Sequence, residues 1–269
     1  MTFDRPPLNE VVLSLQSESV KGFTTPYLGL FWGRIRDAYP ETQTQPPLDP
    51  VVERFEGAPK PAPTVPFRVL ETMETPRCWF LTRGGQQLVQ VQQDRLILNW
   101  RRIQADDVYP RYERLRPELE RVANELLLFL EQEGLGNVVP NQCEVSYINH
   151  IETAEWAQRG ELHRVLSFWQ RISATGLPDP EDATAALRFV MEEEGTKLGR
   201  LHVNLKSAAR RSDSKPVLVL EVTARGKPLS ADLKGALQFM DRGRDRIHRA
   251  FQALTSRDAQ RELWGLRDE

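Results

Sequence analysis

Residues 86–101 read Gln-Gln-Leu-Val-Gln-Val-Gln-Gln-Asp-Arg-Leu-Ile-Leu-Asn-Trp-Arg, and no other stretch restricts the fold as strongly. Side chains two apart on a strand share a face. Val89 and Val91 therefore share one face, and Leu88, Gln90 and Gln92 the other. Beyond a fold at Gln92-Gln93-Asp94, a second strand sets Leu96, Leu98 and Trp100 against Arg95, Ile97, Asn99 and Arg101. Residues 78–82 add a third strand through Arg83-Gly84-Gly85, whose glycines supply the positive φ of a tight hairpin. The prediction is a three-strand antiparallel meander, one side apolar and the other carrying amides and guanidinium groups. Such a sheet takes helices on one face and solvent or a partner on the other. Gln90, Gln92, Asn99 and Arg101 are then candidates for a partner-binding face; the plainer reading is soluble strand positions.

The rest of the chain alternates between strand and helix patterns. Val11, Leu13 and Leu15 mark a first strand that starts after Pro6-Pro7. Thr25-Pro26 reads as a helix start, with Leu28, Phe31, Trp32, Ile35 and Tyr39 on one stripe and Pro40 as the stop. Residues 41–66 are rich in Pro, Gln and Thr and predict a long surface loop, followed by a strand at 67–72. Leu115, Leu119, Val122, Leu126 and Phe129/Leu130 predict a long helix over 114–133 that Gly134 closes. The second half predicts a strand at 143–151, with Cys143, Val145, Tyr147, Asn149 and Ile151 on one face. A helix at 161–173 and a Pro-rich loop at 176–180 follow. Next come a strand at 185–192 and a hairpin of 201–206 with 217–223. Ser230 is the expected cap of a last long helix with Leu233, Leu237, Met240, Ile247, Phe251 and Leu254 at helical spacing, and a short helical tail covers 258–264.

Both halves thus read strand, helix, loop, antiparallel strands, long helix. Glu10-Val11 matches Glu144-Val145, and Phe31-Trp32-Gly33-Arg34-Ile35 matches Phe168-Trp169-Gln170-Arg171-Ile172. The expected fold is α+β: two tandem β-α-β-β-β(-β)-α units, residues 1–136 and 137–269, forming a curved antiparallel sheet with long helices on one face. Fused edges would hide two otherwise exposed strand edges. This element order resembles the duplicated saddle of the TATA-binding-protein type and the helix-grip folds, an analogy that does not fix function.

Several stretches carry a resemblance over nearly the whole chain: residues 6–13 (Pro-Pro-Leu-Asn-Glu-Val-Val-Leu), 31–40, 90–101, 147–151 (Tyr-Ile-Asn-His-Ile) and 240–245 (Met-Asp-Arg-Gly-Arg-Asp), with Phe251 and Trp264 after them. They look like a sporadically distributed family of conserved hypothetical proteins of bacteria and archaea. The resemblance implies no established activity and no catalytic residues. Such patchy occurrence is similar to that of mobile-element, toxin–antitoxin and phage-defence genes, which implies an interaction role.

Chemistry-bearing motifs are missing from the sequence. His150, His163, His202 and His248 show no metal-ligand spacing, Gly84-Gly85 is not followed by GK[ST], and no G-x-S-x-G elbow occurs. No catalytic residue, metal or cofactor is expected. No run of about 18 apolar residues or signal-peptide pattern occurs, and Cys78 and Cys143 read as buried reduced thiols, so the expected location is cytoplasmic. Charge is uneven. Residues 1–194 hold 20 basic and 29 acidic side chains, residues 195–269 hold 16 and 9. Arg242, Arg244, Arg246 and Arg249 crowd the last helix, with Arg210, Arg211 and Lys215 in a hairpin loop, a candidate phosphate or nucleic-acid surface. The interleaved Asp241 and Asp245 favour a solvated, ion-paired face instead. The leading expectation is a non-enzymatic binding protein that docks another protein, one encoded nearby being a natural partner. Nucleic-acid binding is one alternative, and a small-molecule pocket lined by Trp32, Trp100 and Trp169 another; a homodimer stays open.

Overall fold

The computed structural model describes residues 2–55, 75–152, 161–170, 182–210 and 213–267. The predicted strand at 67–72 and the Pro-rich 176–180 lie outside these residues. The chain is α+β with a large antiparallel sheet, as its patterning predicts. The chain forms β1 (Thr2–Phe3), β2 (Leu8–Ser17), α1 (Thr25–Ile35), β3 (Glu41–Gln45), β4 (Arg77–Leu81), β5 (Gln87–Gln92), β6 (Arg95–Arg101) and α2 (Tyr112–Gln132). It continues with β7 (Pro140–Glu152), β8 (Thr184–Glu193), β9 (Thr196–Ala209), β10 (Pro216–Gly226), α3 (Leu233–Leu254) and β11 (Leu266–Arg267). Nine strands join in the order β3-β4-β5-β6-β2-β7-β10-β9-β8, while β1 pairs with β11. In each sequence half, the last strand before the long helix lies beside that half's first long strand: β6 beside β2, β10 beside β7.

By contacts the chain separates into two compact units, each discontinuous in sequence: Leu13–Cys143 with Gly226–Phe239, and Met1–Val12 with Glu144–Arg225 and Met240–Glu269.

In the first of these units the meander follows the alternation closely. Val89 pairs with Leu98 and Val91 with Leu96, while Gln90 pairs with Ile97 and Gln92 with Arg95 across a two-residue turn. Phe80 opposes Val89 on β4. The Phe31 ring of α1 lies 6.4 Å from Phe80 and 5.8 Å from Phe129 of α2, so both helices cover the Val89/Leu98 side of the meander. Gly134, at φ 66°, closes α2 as expected.

Local expectations change where polar chemistry competes. Glu41–Gln45, expected as loop, is a strand paired with β4; its side chains are exposed or half-buried, so no apolar alternation announces it. Thr24, not Thr25, precedes α1, and no side-chain cap bond forms. The helix stops at Ile35, short of Pro40.

In the other unit, the predicted helix 161–173 is, over its described part, a 3-10 turn at Leu162–Arg164. Here the main chain is committed elsewhere. Leu166 bridges Thr255, Ser167 N–H donates to Leu254 O at 3.0 Å, and Ser256 N–H donates to Val165 O at 2.7 Å. The β8–β9 hairpin turns at Glu194-Gly195, both with positive φ (49° and 77°). The C-terminal tail is a π-type turn at Ala259–Leu263, not an α-helix, leading to β11. Phe3 packs edge-on against Phe251 and Trp264 at 5.6 and 6.2 Å.

The α3 helix, which has residues in both units, is started by Asp232 rather than Ser230: Gly235 N–H donates to Asp232 Oδ1 at 2.7 Å.

Candidate polypeptide-docking face

The side of the meander away from α1 and α2 carries Gln90, Gln92, Arg95 and Asn99. The sequence expectation leaves this face to solvent or a partner. The structure instead lays residues 46–55 of the same chain on it. Gln90 and Gln92 are 6% exposed and Asn99 4%. Gln92 reads one residue completely: Leu48 N–H donates to Gln92 Oε1 at 2.9 Å, and Gln92 Nε2 donates to Leu48 O at 3.0 Å. Arg95 Nη2 donates to Asp49 O at 3.0 Å. Val51 N–H donates to Gln16 Oε1 at 3.0 Å, and Glu53 N–H to Gln142 Oε1 at 2.9 Å.

These contacts have a simple geometry. Gln92, Arg95, Gln16 and Gln142 sit on β5, β6, β2 and β7, four consecutive strands of the sheet order. Neighbouring strands lie about 4.8 Å apart, so three spacings span about 14 Å. Five residues of extended chain, from Leu48 to Glu53, cover about 15 Å at the rise of a polyproline-like segment. The segment therefore crosses the strands with one contacting side chain per strand. Pro46, Pro47 and Pro50 suit that conformation and lack a donor to lose. Pro46, Pro47, Asp49, Pro50, Val51, Val52 and Arg54 are exposed, so the main chain makes the attachment.

Not every hydrogen-bonding atom on this face is used. Gln90 Nε2 donates to Asn99 Oδ1 at 2.7 Å, but Gln90 Oε1 is buried with no partner among the described residues. Gln142 Nε2 and Trp79 Nε1 are likewise buried and unpaired among the described residues. Each such atom costs about 1–3 kcal/mol unless a partner reaches it. Trp79 lies opposite Gln90 on β4, with the guanidinium carbons of Arg77 and Arg101 each 5.7 Å from its ring centre. Arg101 is tied down as well, donating from Nε to Gly85 O at 3.0 Å.

Of the four sequence-predicted face residues, Gln92 bonds directly to the main chain of residues 46–55. Gln16, Arg95 and Gln142 do so without having been singled out. The first predicted strand ends at Leu15, one residue short of Gln16, and the strand predicted at 143–151 starts one residue after Gln142.

Near the 46–55 contacts, a small apolar cavity of about 50 Å³ is lined by Leu15, Phe23, Leu96, Leu126, Leu130 and Val138. None of Trp32, Trp100 and Trp169 lines it. Trp100 packs on Tyr109 at 5.2 Å, and Trp32 Nε1 donates to Tyr39 O at 2.9 Å. The Tyr39 hydroxyl donates to Glu118 at 2.7 Å; burial, then this carboxylate, push its pKa up. Burial opposes ionisation of Glu118, but hydrogen bonds from Arg121 and Tyr39 hold its pKa below the usual carboxylate range.

The candidate arginines sit among acidic groups. Arg210 pairs with Glu152 and Asp213, both at 2.7 Å. Arg242 pairs with Glu193, and Arg244 with Asp245 at 3.1 Å. Arg246 donates to Glu192 O at 3.3 Å, Arg249 is exposed, and Arg211 lies outside the described residues. Among the described residues no three His, Cys, Asp or Glu side chains converge as metal ligands, and no helix is long and apolar enough to cross a membrane. No protein-family model, curated protein or solved structure matches this chain.

Proposed function

We propose that this is a non-enzymatic binding protein whose amide-bearing sheet face takes an extended segment of a partner protein by its main chain, and that residues 46–55 hold the face when the partner is absent. One observation carries the reading: four side chains on four consecutive strands contact the main chain of residues 48–53. Main-chain recognition is tolerant of sequence, so a partner segment needs only extended conformation and few bulky side chains underneath.

The energies suit exchange. Five hydrogen bonds at about 1 kcal/mol each give about 5 kcal/mol. Ordering residues 48–53 costs about 1 kcal/mol per residue, or about 6 kcal/mol. The side chains of this segment are mostly exposed, so apolar burial adds little. A near-balanced intramolecular segment yields to a partner that also satisfies Gln90 Oε1 and Gln142 Nε2. A role of this kind suits the product of a defence or toxin–antitoxin-like gene set acting in the cytoplasm.

The test is fluorescence anisotropy of a labelled peptide with the sequence of residues 45–55. It is titrated with the full chain and with a variant whose residues 46–55 are replaced by Gly and Ser. The replaced variant is expected to bind the peptide, and Gln92→Leu in that background to abolish binding. A replaced variant that unfolds cooperatively yet binds no peptide overturns the reading.

A further inference from the structure

The two ends of the nine-stranded order differ in kind. One end is β3, five residues of Glu, Thr and Gln, short and polar in the manner of a protected edge. The other end is β8, ten residues reading Thr-Ala-Ala-Leu-Arg-Phe-Val-Met-Glu-Glu. Its ladder runs to β9 alone among the described residues, from Thr184↔Lys206 to Glu193↔Thr196. Phe189 is 46% exposed and Val190 49%, adjacent residues on opposite faces of this strand. β8 is not short and carries no proline or lysine, while its ladder to β9 shifts register between Met191 and Glu192.

We infer that β8 pairs antiparallel with β8 of a second copy of this chain, with Val190 opposite Val190. An antiparallel pair about a two-fold axis places one residue opposite itself, and the residues around it oppose their mirror positions. Centring on Val190 sets Arg188 opposite Glu192 and Phe189 opposite Met191. The symmetry makes each of these contacts twice. Arg188, Val190 and Glu192 are all exposed and share one face of the strand. Oppositely charged residues directly across an antiparallel pair stabilise it, and like charges destabilise it. Centring on Phe189 would instead set Arg188 opposite Val190, and centring on Met191 would set Val190 opposite Glu192. Charge complementarity therefore selects a second copy and a single register. Arg242 and Arg246 of α3 hold the side chain of Glu193 and the carbonyl of Glu192, which fixes the end of the strand and leaves the Glu192 carboxylate exposed.

This inference does not depend on the docking face, and its test does not involve the peptide. Sedimentation equilibrium of the full chain over about 1–500 µM is expected to show a monomer–dimer equilibrium. Arg188→Glu, which sets two like-charge pairs across the axis, is expected to weaken dimerisation about tenfold or more. Adding Glu192→Arg to that variant exchanges the charges and is expected to restore the wild-type constant. A chain that stays monomeric throughout overturns the inference and leaves the edge to a strand from a different protein. A dimer indifferent to Arg188→Glu, or one that the charge exchange does not rescue, overturns it equally.

Discussion

Gln92 makes the most complete contact with residues 46–55, and its loss should be felt locally before it is felt globally. Replacing it with Leu removes three hydrogen bonds, two to Leu48 and one to Asp94, and leaves the Leu48 main chain without that partner, a cost of about 1–3 kcal/mol. The expected result is faster hydrogen exchange at the Leu48 amide, about tenfold for each 1.4 kcal/mol of local opening. Exchange at Val89 and Leu98 in the meander should change far less. Gln16→Leu should shift the effect to Val51. Two-dimensional NMR exchange rates decide this. Acid stability reports on a different residue. Hydrogen bonds from the Arg210 guanidinium, helped by the Lys215 amide, hold Asp213 down to about 2 from an ordinary 3.8. The folded pKa is depressed, so the contribution is complete above about pH 4 and disappears as pH falls towards 2. Asp213→Asn should therefore flatten the acid limb of the stability curve over that window and leave neutral pH comparisons as the reference. A thiol gives the opposite sign. Burial pushes Cys143 up to about 12, so it should not react with a disulfide reagent at pH 8 until the chain unfolds. Cys78, expected buried, is half-buried and shifted in the same direction, and should react before unfolding but more slowly than a free thiol.

At the scale of elements, local rules and long-range contacts divide the outcome. The meander was legible because alternation is a property of the backbone itself, and each pair from Gln87↔Trp100 to Gln92↔Arg95 follows it. The long helices were legible for the same reason. Glu41–Gln45 was not, because an edge strand with polar side chains on both faces has no apolar period to read. The 161–173 stretch failed in the other direction. Leu162, Val165 and Leu166 have helical spacing and are buried, but the main chain of residues 165–167 is spent on residues 254–256. The docking face was half legible: alternation put Gln90, Gln92 and Asn99 on one side, but nothing local shows that residues 46–55 return to cover it. Two glycines test how far conformation alone sets element stability. A Cβ at Gly195 or at Gly33 meets no atom within 4 Å, so packing does not distinguish them. Gly195 has φ 77° in the β8–β9 turn, and Gly195→Ala should destabilise by about 1–2 kcal/mol. Gly33 is exposed within α1, and Gly33→Ala should stabilise by about 0.5–1 kcal/mol. Urea unfolding of the two variants measures both signs.

For the whole molecule, the informative fact is how the sequence is shared between the compact units. The pattern of strand, helix and meander divides the sequence near residue 136. Yet the unit built on Glu144–Arg225 also takes Met1–Val12, and the unit built on Leu13–Cys143 also takes Gly226–Phe239. Strand β2 contributes to both, since Leu8–Val12 falls in one and Leu13–Ser17 in the other. Val11 and Leu13 are each fully buried, so cutting the chain into sequence halves exposes apolar groups that neither half can cover alone. His150 N–H donates to Pro7 O at 2.8 Å, a main-chain bond that joins residues from the two halves inside one unit. Fragments 1–136 and 137–269, expressed separately, should therefore lack cooperative urea transitions and native near-ultraviolet circular dichroism. Mixed at equal concentration they should recover both, because the missing strands are then supplied in trans. If either fragment alone unfolds cooperatively at the midpoint of the whole chain, each half carries its own complete core. The interleaving of residues 1–12 and 226–239 would then not be required for folding.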